Sequence, residues 1–105
     1  MKATPPPTLD EVRARIAPLC QRHPIRRLEV FGSVAQGTAQ PGSDVDLLVT
    51  LDGTVSTAQL LDMAGEAEEL IGAPVDFVLR QNIEAASRTD RRREILQKAV
   101  CIYGG

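Results

Sequence analysis

The sequence contains few aromatic residues, only two cysteines and no long apolar segment. Three of its 105 residues are aromatic and none is tryptophan, so the hydrophobic core must be built from Leu, Ile, Val and Ala. Cys20 and Cys101 form no CxxC pair, which indicates reduced, partly buried thiols rather than a disulfide framework. The N-terminus lacks the apolar core of a signal peptide, and no apolar run approaches the roughly 20 residues of a transmembrane helix. We therefore expect a soluble, cytoplasmic protein that makes no contact with a membrane.

Neither sign of charge dominates the sequence. Its 12 basic and 14 acidic residues give a formal net charge of -2, which creates no global field toward nucleic acid or a membrane surface. The overall charge therefore predicts no direct binding of nucleic acid and leaves open a local basic patch. With 43% hydrophobic and 25% charged residues, the composition is that of a folded protein rather than a disordered one. A chain of 105 residues can bury one core without disulfides or a structural metal, so we expect a single domain.

Capping and turn signals divide the chain into alternating helices and strands. Three prolines end an extended arm over residues 1–7, and Thr8 with Glu11 forms a capping box at the start of a first helix. The predicted helices cover residues 8–22, a short turn at 33–36, a helix capped by Ser56 or Thr57 that ends at Gly72, and a final helix that begins at Asn82 or Ser87. The predicted strands cover residues 26–31, 44–51, 74–79 and, as a short edge strand, 100–103. This order predicts an α+β fold over residues 8–105, in which helices pack on one mixed β-sheet.

Two aspartates, Asp44 and Asp46, flank Val45 at the start of an otherwise apolar predicted strand. Side chains two residues apart in a strand project from the same face, so the two carboxylates should lie side by side. Like charges this close disfavour each other's ionisation, and a bound divalent cation removes that cost. Ligands that are all oxygen atoms favour Mg²⁺ or Mn²⁺ over zinc. Asp76, a lone acid in the third predicted strand, is expected to share this metal site.

The Gly32-Ser33 pair lies where the first predicted strand passes into a short helical turn. Backbone N–H groups at a helix start favour phosphate, Gly32 permits close approach, and the Ser33 hydroxyl can donate to a phosphate oxygen. Ser43, directly before Asp44, either closes the loop by bonding local backbone or contacts the substrate. Three carboxylates beside a phosphate cradle predict two-metal phosphoryl or nucleotidyl transfer on a nucleoside triphosphate. Asp76 would complete the second ion and receive or orient the proton of the attacking hydroxyl.

Segment 32–46 resembles the DNA polymerase β-like nucleotidyltransferase superfamily, whose pattern is Gly-Ser, a loop, Asp-x-Asp and a third acid on a later strand. The matching positions are Gly32, Ser33, Ser43, Asp44, Asp46, Leu47 and Asp76. The resemblance covers nearly the whole chain, which looks like the minimal nucleotidyltransferases (MNT), a group that consists of the catalytic core alone. It implies a nucleotidyltransferase fold, with the matched aspartates as catalytic metal ligands and the matched glycine and serines as nucleotide-binding residues.

In prokaryotes, proteins of this group commonly act as the antitoxin of a HEPN-domain ribonuclease toxin. The resemblance therefore implies a Mg²⁺-dependent adenylyltransferase that transfers AMP from ATP to a tyrosine of its partner toxin and forms a hetero-oligomer with it. We expect the acceptor to come from the partner, because this short chain carries little with which to choose one. Two alternatives stay open: an antitoxin that neutralises its toxin by binding alone, and a nucleotidyltransferase that acts on a small molecule.

A few further residues bear on the site. Gln36 stands where many relatives carry an arginine, which removes support for a second phosphate contact from this loop but leaves the metal site intact. Arg80, after the third predicted strand, either balances the acidic pocket or contacts phosphate. His23 is interpreted as a loop residue rather than a catalyst. The three arginines at residues 91–93 form either a solvated helical face or a surface for a protein or RNA partner.

Overall fold

The structure, a computed structural model, describes residues 5–84, 95 and 97–104 of the protein. The helices are α1 (Leu9–Arg22), α2 (Gly32–Gln36), α3 (Thr57–Ile71) and α4 (Arg80–Glu84), and the strands are β1 (Ile25–Phe31), β2 (Val45–Leu51), β3 (Val75–Leu79) and β4 (Val100–Gly104). Ile95, Gln97 and Lys98 are also helical. The remainder of the predicted final helix, including the arginines at 91–93, lies outside the described residues.

The four strands form one mixed sheet in the order β3-β2-β1-β4. Strand β1 pairs antiparallel with β2 and with β4, whereas β3 pairs parallel with β2. A parallel pair needs a crossover between its strands, and α3 supplies it. The predicted α+β fold with one mixed sheet is therefore confirmed, and β4 is an edge strand as expected.

Two element boundaries differ from the sequence-based prediction near the candidate site. Strand β2 begins at Val45, whose N–H donates to the Pro74 carbonyl at 2.8 Å, so Asp44 lies just before the strand instead of within it. A helix begins at Arg80, directly after β3 and two residues before the predicted start at Asn82, while the alternative start at Ser87 lies outside the described residues. No glycine or proline separates β3 from this helix, and arginine and glutamine favour helix, so the chain turns at once.

The main hydrophobic core lies between the sheet and helices α1 and α3. Its fully buried side chains include Val12, Ile16, Leu19, Leu28, Val30, Val45, Leu47, Met63 and Ile71. A smaller cluster on the opposite face of the sheet joins Phe31, Leu48 and Ile95. The three consecutive apolar residues Leu47, Leu48 and Val49 are all buried, which confirms that β2 is a central strand covered on both faces.

The first helix begins and ends where the sequence predicts. The Thr8 hydroxyl accepts a hydrogen bond from the Glu11 N–H, and the Glu11 carboxylate accepts one from the Thr8 N–H, which completes the capping box. The hydrogen bond from the Thr8 backbone is the main reason that the pKa of Glu11 is lowered. Pro18 lies inside the helix, which nevertheless continues to Arg22.

Both cysteines are free thiols, as expected. Cys20 is buried, and this burial raises the pKa of its thiol to about 11, while Cys101 is half-buried in β4. Within the part of the chain that the structure describes, no helix has both the length and the apolar character needed to span a membrane.

Candidate functional site

The sheet register places Asp46 and Asp76 next to each other. Asp46 pairs with Phe31 of β1 on one side and with Asp76 of β3 on the other. Paired residues in neighbouring strands project from the same face, so both carboxylates stand on the face opposite the main core. Val45, one residue before Asp46, is fully buried in that core, as strand alternation requires. Asp76 is exposed and Asp46 is partly buried.

Asp44 lies one residue before β2 and is exposed. Among the described residues, which include all three predicted aspartates, no group of three or more carboxylate, imidazole or thiol side chains is arranged to hold a metal ion. Mg²⁺ is usually bound through one or two carboxylates, with phosphate oxygens and water as its remaining ligands. Two aspartates at the start of β2 provide oxygen donors and two negative charges, which fits this mode of binding. Asp44 and Asp46 are the residues that would hold such an ion with a triphosphate.

Gly32, the first residue of α2, makes room for the Asp46 side chain. Its backbone φ is +73°, in the left-handed region that favours glycine. A Cβ atom at this position would overlap a carboxylate oxygen of Asp46. The sequence suggested that Gly32 allows the backbone to approach a phosphate, and the structure adds that it lets the Asp46 carboxylate lie against the first turn of α2.

The loop between α2 and β2 is closed by backbone hydrogen bonds at each end. Helix α2 ends at Gly37, which has a φ of +75°, and the Ser33 carbonyl accepts the Thr38 N–H at 2.9 Å. At the other end, the Ser43 hydroxyl accepts the Gln40 N–H at 3.0 Å, and the Ser43 N–H donates to the Gln40 carbonyl at 2.9 Å. Ser43 therefore has the loop-closing role that was one of its two interpretations. Nucleotide contacts from Ser33 and Ser43 stay predictions.

An ion pair with a buried carboxylate, which the sequence did not reveal, lies on the same face of the sheet as Asp46. An Arg80 Nη1 donates to Glu29 Oε1 at 2.6 Å, and Arg27 Nε lies 3.3 Å from the same oxygen. Arg80, whose role the sequence left open between the acidic pocket and a phosphate, is thus paired with Glu29. The only sequence signal for Glu29 was an acid between the apolar residues of a predicted strand.

Two other features lie away from the aspartates. The His23 Nε2 is 2.9 Å from the Glu66 carboxylate, which agrees with its interpretation as a loop residue.

A groove of about 400 Å³, named here the proline groove, separates the N-terminal arm from α2. It is lined by Pro6, Pro7, Thr8, Leu9, Val34, Ala35, Gln36, Gly37 and Ala39. None of the predicted catalytic residues lines it.

Comparisons with known proteins agree on one family. A family model described as a nucleotidyltransferase domain matches residues 16–102, most of the chain. The chain is 29% identical over 93 residues to the protein adenylyltransferase MntA of Thermococcus cleftensis, which covers 85% of this chain and 94% of that protein. The match thus covers most of the length of both proteins.

Two solved structures share the fold. A toxin–antitoxin crystal structure with AMP-PNP matches with a TM-score of 0.71 and 22% identity, covering 89% of this chain and 73% of that one. An MNT antitoxin in complex with the tri-AMPylated HEPN toxin of Shewanella oneidensis matches with a TM-score of 0.65 and 17% identity, covering 91% of this chain and 72% of the other. At these identities the likeness establishes the fold that the chains have in common.

Proposed function

The chain belongs to the nucleotidyltransferase domain family, and from this premise we propose that it is a Mg²⁺-dependent protein adenylyltransferase. It transfers AMP from ATP to a tyrosine of a partner HEPN-domain toxin and thereby acts as the antitoxin. The main support for the proposal is the pairing of Asp46 with Asp76. Gly32 lies against Asp46 and leaves room for its carboxylate because glycine has no Cβ atom. The similarity to MntA supports a protein as the acceptor, and the AMPylated toxin in one similar structure supports AMP as the group transferred.

Each site residue has a distinct role in this reaction. Asp44 and Asp46 would hold Mg²⁺ or Mn²⁺, which would neutralise negative charge on the triphosphate. The backbone of Gly32 and the hydroxyl of Ser33 bind phosphate oxygens at the start of α2. Ser43, next to Asp44, contributes a further nucleotide contact in addition to closing its loop.

In the transfer, one bond to phosphorus forms, another breaks, and Asp76 is the proton acceptor. The tyrosine oxygen forms a bond to the α-phosphorus while the bond between the α-phosphorus and the bridging oxygen breaks, and pyrophosphate leaves with the electron pair. Asp76 accepts or orients the proton of the attacking hydroxyl and would complete a second metal site. Its exposure suits this role, because the acceptor must approach from a separate protein chain. The free thiols of Cys20 and Cys101 fit a reaction in the cytoplasm, with the partner held in a hetero-oligomer.

Labelled ATP tests this proposal on the product of the gene adjacent to the one that encodes this chain. With ³²P at the α-phosphate, we expect the partner to become labelled in Mg²⁺, because AMP retains that phosphorus. With ³²P at the γ-phosphate, we expect no label, because pyrophosphate leaves. Removal of Mg²⁺ with EDTA should abolish labelling, and Mn²⁺ should restore it. Transfer of the γ-label, or labelling that survives EDTA, would show that the chemistry is different.

A further inference from the structure

Glu29 is the one buried charged side chain in the described part of the chain, with 3% of its surface exposed. Removing a carboxylate from water is costly unless partners compensate for the lost hydration. An apolar side chain at this position would avoid the cost and would continue the apolar character of β1. Core packing alone therefore does not account for a glutamate at residue 29.

The partner of Glu29 lies two strands away. Arg80 directly follows β3, and its guanidinium reaches Glu29 of β1 in a hydrogen bond of 2.6 Å. Strand β2 separates β1 from β3, which share no backbone ladder. The side-chain bond thus links the two neighbours of β2 directly. Arg27 Nε is close enough to Glu29 for charge attraction but has no hydrogen-bond partner.

The link lies on the same face as the site carboxylates. Glu29 pairs with Leu48, and Leu48 pairs with Val78. Asp46 lies two residues before Leu48 in β2, and Asp76 lies two residues before Val78 in β3. Because side chains alternate along a strand, Glu29 stands on the face of the two aspartates, one row of side chains away from them.

Strand β3 needs such a link because its other end is subject to repulsion. It is an edge strand, held in the sheet by its parallel pairing with β2 alone. Like charges that face each other across a strand pair are destabilising, and Asp46 faces Asp76. A shift of β3 by one residue would send the Asp76 side chain to the opposite face of the sheet. A bond at Arg80 would oppose both movements from the far end of the strand.

We propose that the Glu29–Arg80 pair is a positioning device, which holds β3 in register so that Asp76 stands beside Asp46. Glu29 and Arg80 are positioning residues in this account, since they act on the site through the strand. The purpose of the device rests on the proposed function, because the placement of two repelling carboxylates is useful only if they share a metal-bound substrate.

Amide hydrogen exchange, measured residue by residue by NMR, tests the device without any catalysis. Glu29→Gln keeps the shape of the side chain but removes its charge, and we expect the β3 amides to exchange about tenfold faster while the α3 amides change little. The double variant Glu29→Gln/Asp76→Asn also removes the repulsion. We expect its β3 amides to return to within about threefold of the wild-type rates.

Two further variants keep the test decisive. Arg80→Lys retains the positive charge with weaker geometry and should give an intermediate acceleration in β3, even if Glu29→Gln folds poorly. Val12→Ala creates a cavity in the main core, on the opposite face of the sheet from the pair. It should accelerate amide exchange in β3 and α3 alike. If Glu29→Gln behaves as Val12→Ala does, or if Asp76→Asn fails to reverse its effect, Glu29 has a general packing role and the proposal is wrong.

Binding of Mn²⁺ in the presence of ATP, followed by the EPR signal of the free ion, separates the device from the proposed function. We expect Glu29→Gln to weaken Mn²⁺ binding by about tenfold, as is typical when residues that orient metal ligands are changed. Wild-type protein that binds no Mn²⁺ with ATP would defeat the proposed function, while the exchange rates would still decide the register of β3. Unchanged Mn²⁺ affinity in a variant with fast β3 exchange would show that the register does not serve the metal site.

Discussion

Asp46→Asn is expected to lower AMP transfer by at least about 10³-fold, the equivalent of the several kcal/mol that a catalytic metal contributes. The substitution preserves the size of the side chain and its place against Gly32, but it removes the charge that would hold the metal. It also removes the repulsion with Asp76, so we expect thermal unfolding at the wild-type temperature or slightly above. Initial rates of AMP incorporation and thermal unfolding by circular dichroism measure the two effects.

The matched control for this variant is Asp62→Asn, which neutralises an exposed carboxylate on α3, away from the paired aspartates. Its transfer rate should equal that of the wild type. If Asp46→Asn keeps more than a tenth of the wild-type rate, the metal is not held by this carboxylate. Protection of toxin-expressing cells by Asp44→Asn/Asp46→Asn as effectively as by wild type would favour an antitoxin that acts by binding alone.

Gly32→Ala is expected to damage both the fold and the site. A non-glycine residue in the left-handed region costs about 1–2 kcal/mol, and here the added Cβ also overlaps the Asp46 carboxylate. Displacement of a catalytic group by about 1 Å can cost on the order of 10² in rate, so we expect a loss of that size in AMP transfer even where the protein is folded. Urea unfolding and transfer rates at a temperature well below the unfolding midpoint give the two quantities.

Gly37→Ala is a close control for this prediction. Gly37 has a φ of +75°, nearly the same as Gly32, but a Cβ at Gly37 would meet no atom within 4 Å. The two variants should therefore share the backbone cost, and only Gly32→Ala should lose the additional factor in transfer. Equal transfer rates in the two variants would mean that the contact between Gly32 and Asp46 has no part in catalysis.

Local sequence patterns predicted the strands well, whereas the roles of the acids stay predictions. The apolar run after Asp46 indicated a central strand, and the lone acid between Val75 and Phe77 indicated that Asp76 needs a partner, for which a metal shared with Asp44 and Asp46 was predicted. Both interpretations depend only on the alternation of side chains along one strand, which is a local property. For the same reason, the strand boundaries differ from the predictions by no more than one residue.

Two contacts that depend on the register between strands were not predicted. The bond between Glu29 and Arg80 requires that β1 and β3 flank β2 with a particular alignment, and no short segment of sequence specifies that arrangement. The overlap between Gly32 and Asp46 likewise joins the end of β1 to the start of β2. Glycine at residue 32 signalled a special conformation, but only the folded chain shows which side chain occupies the space.

The most direct test of the candidate site is a crystal structure with Mn²⁺ and α,β-methylene ATP, an analogue that resists transfer. Anomalous scattering from manganese locates the ion independently of the protein atoms. We predict an anomalous peak at the carboxylates of Asp44 and Asp46, with the triphosphate against Gly32 and Ser33 and the α-phosphorus on the side of Asp76. A manganese peak away from these carboxylates, or a triphosphate in the proline groove, would contradict the assignment of this face as the nucleotidyltransferase site.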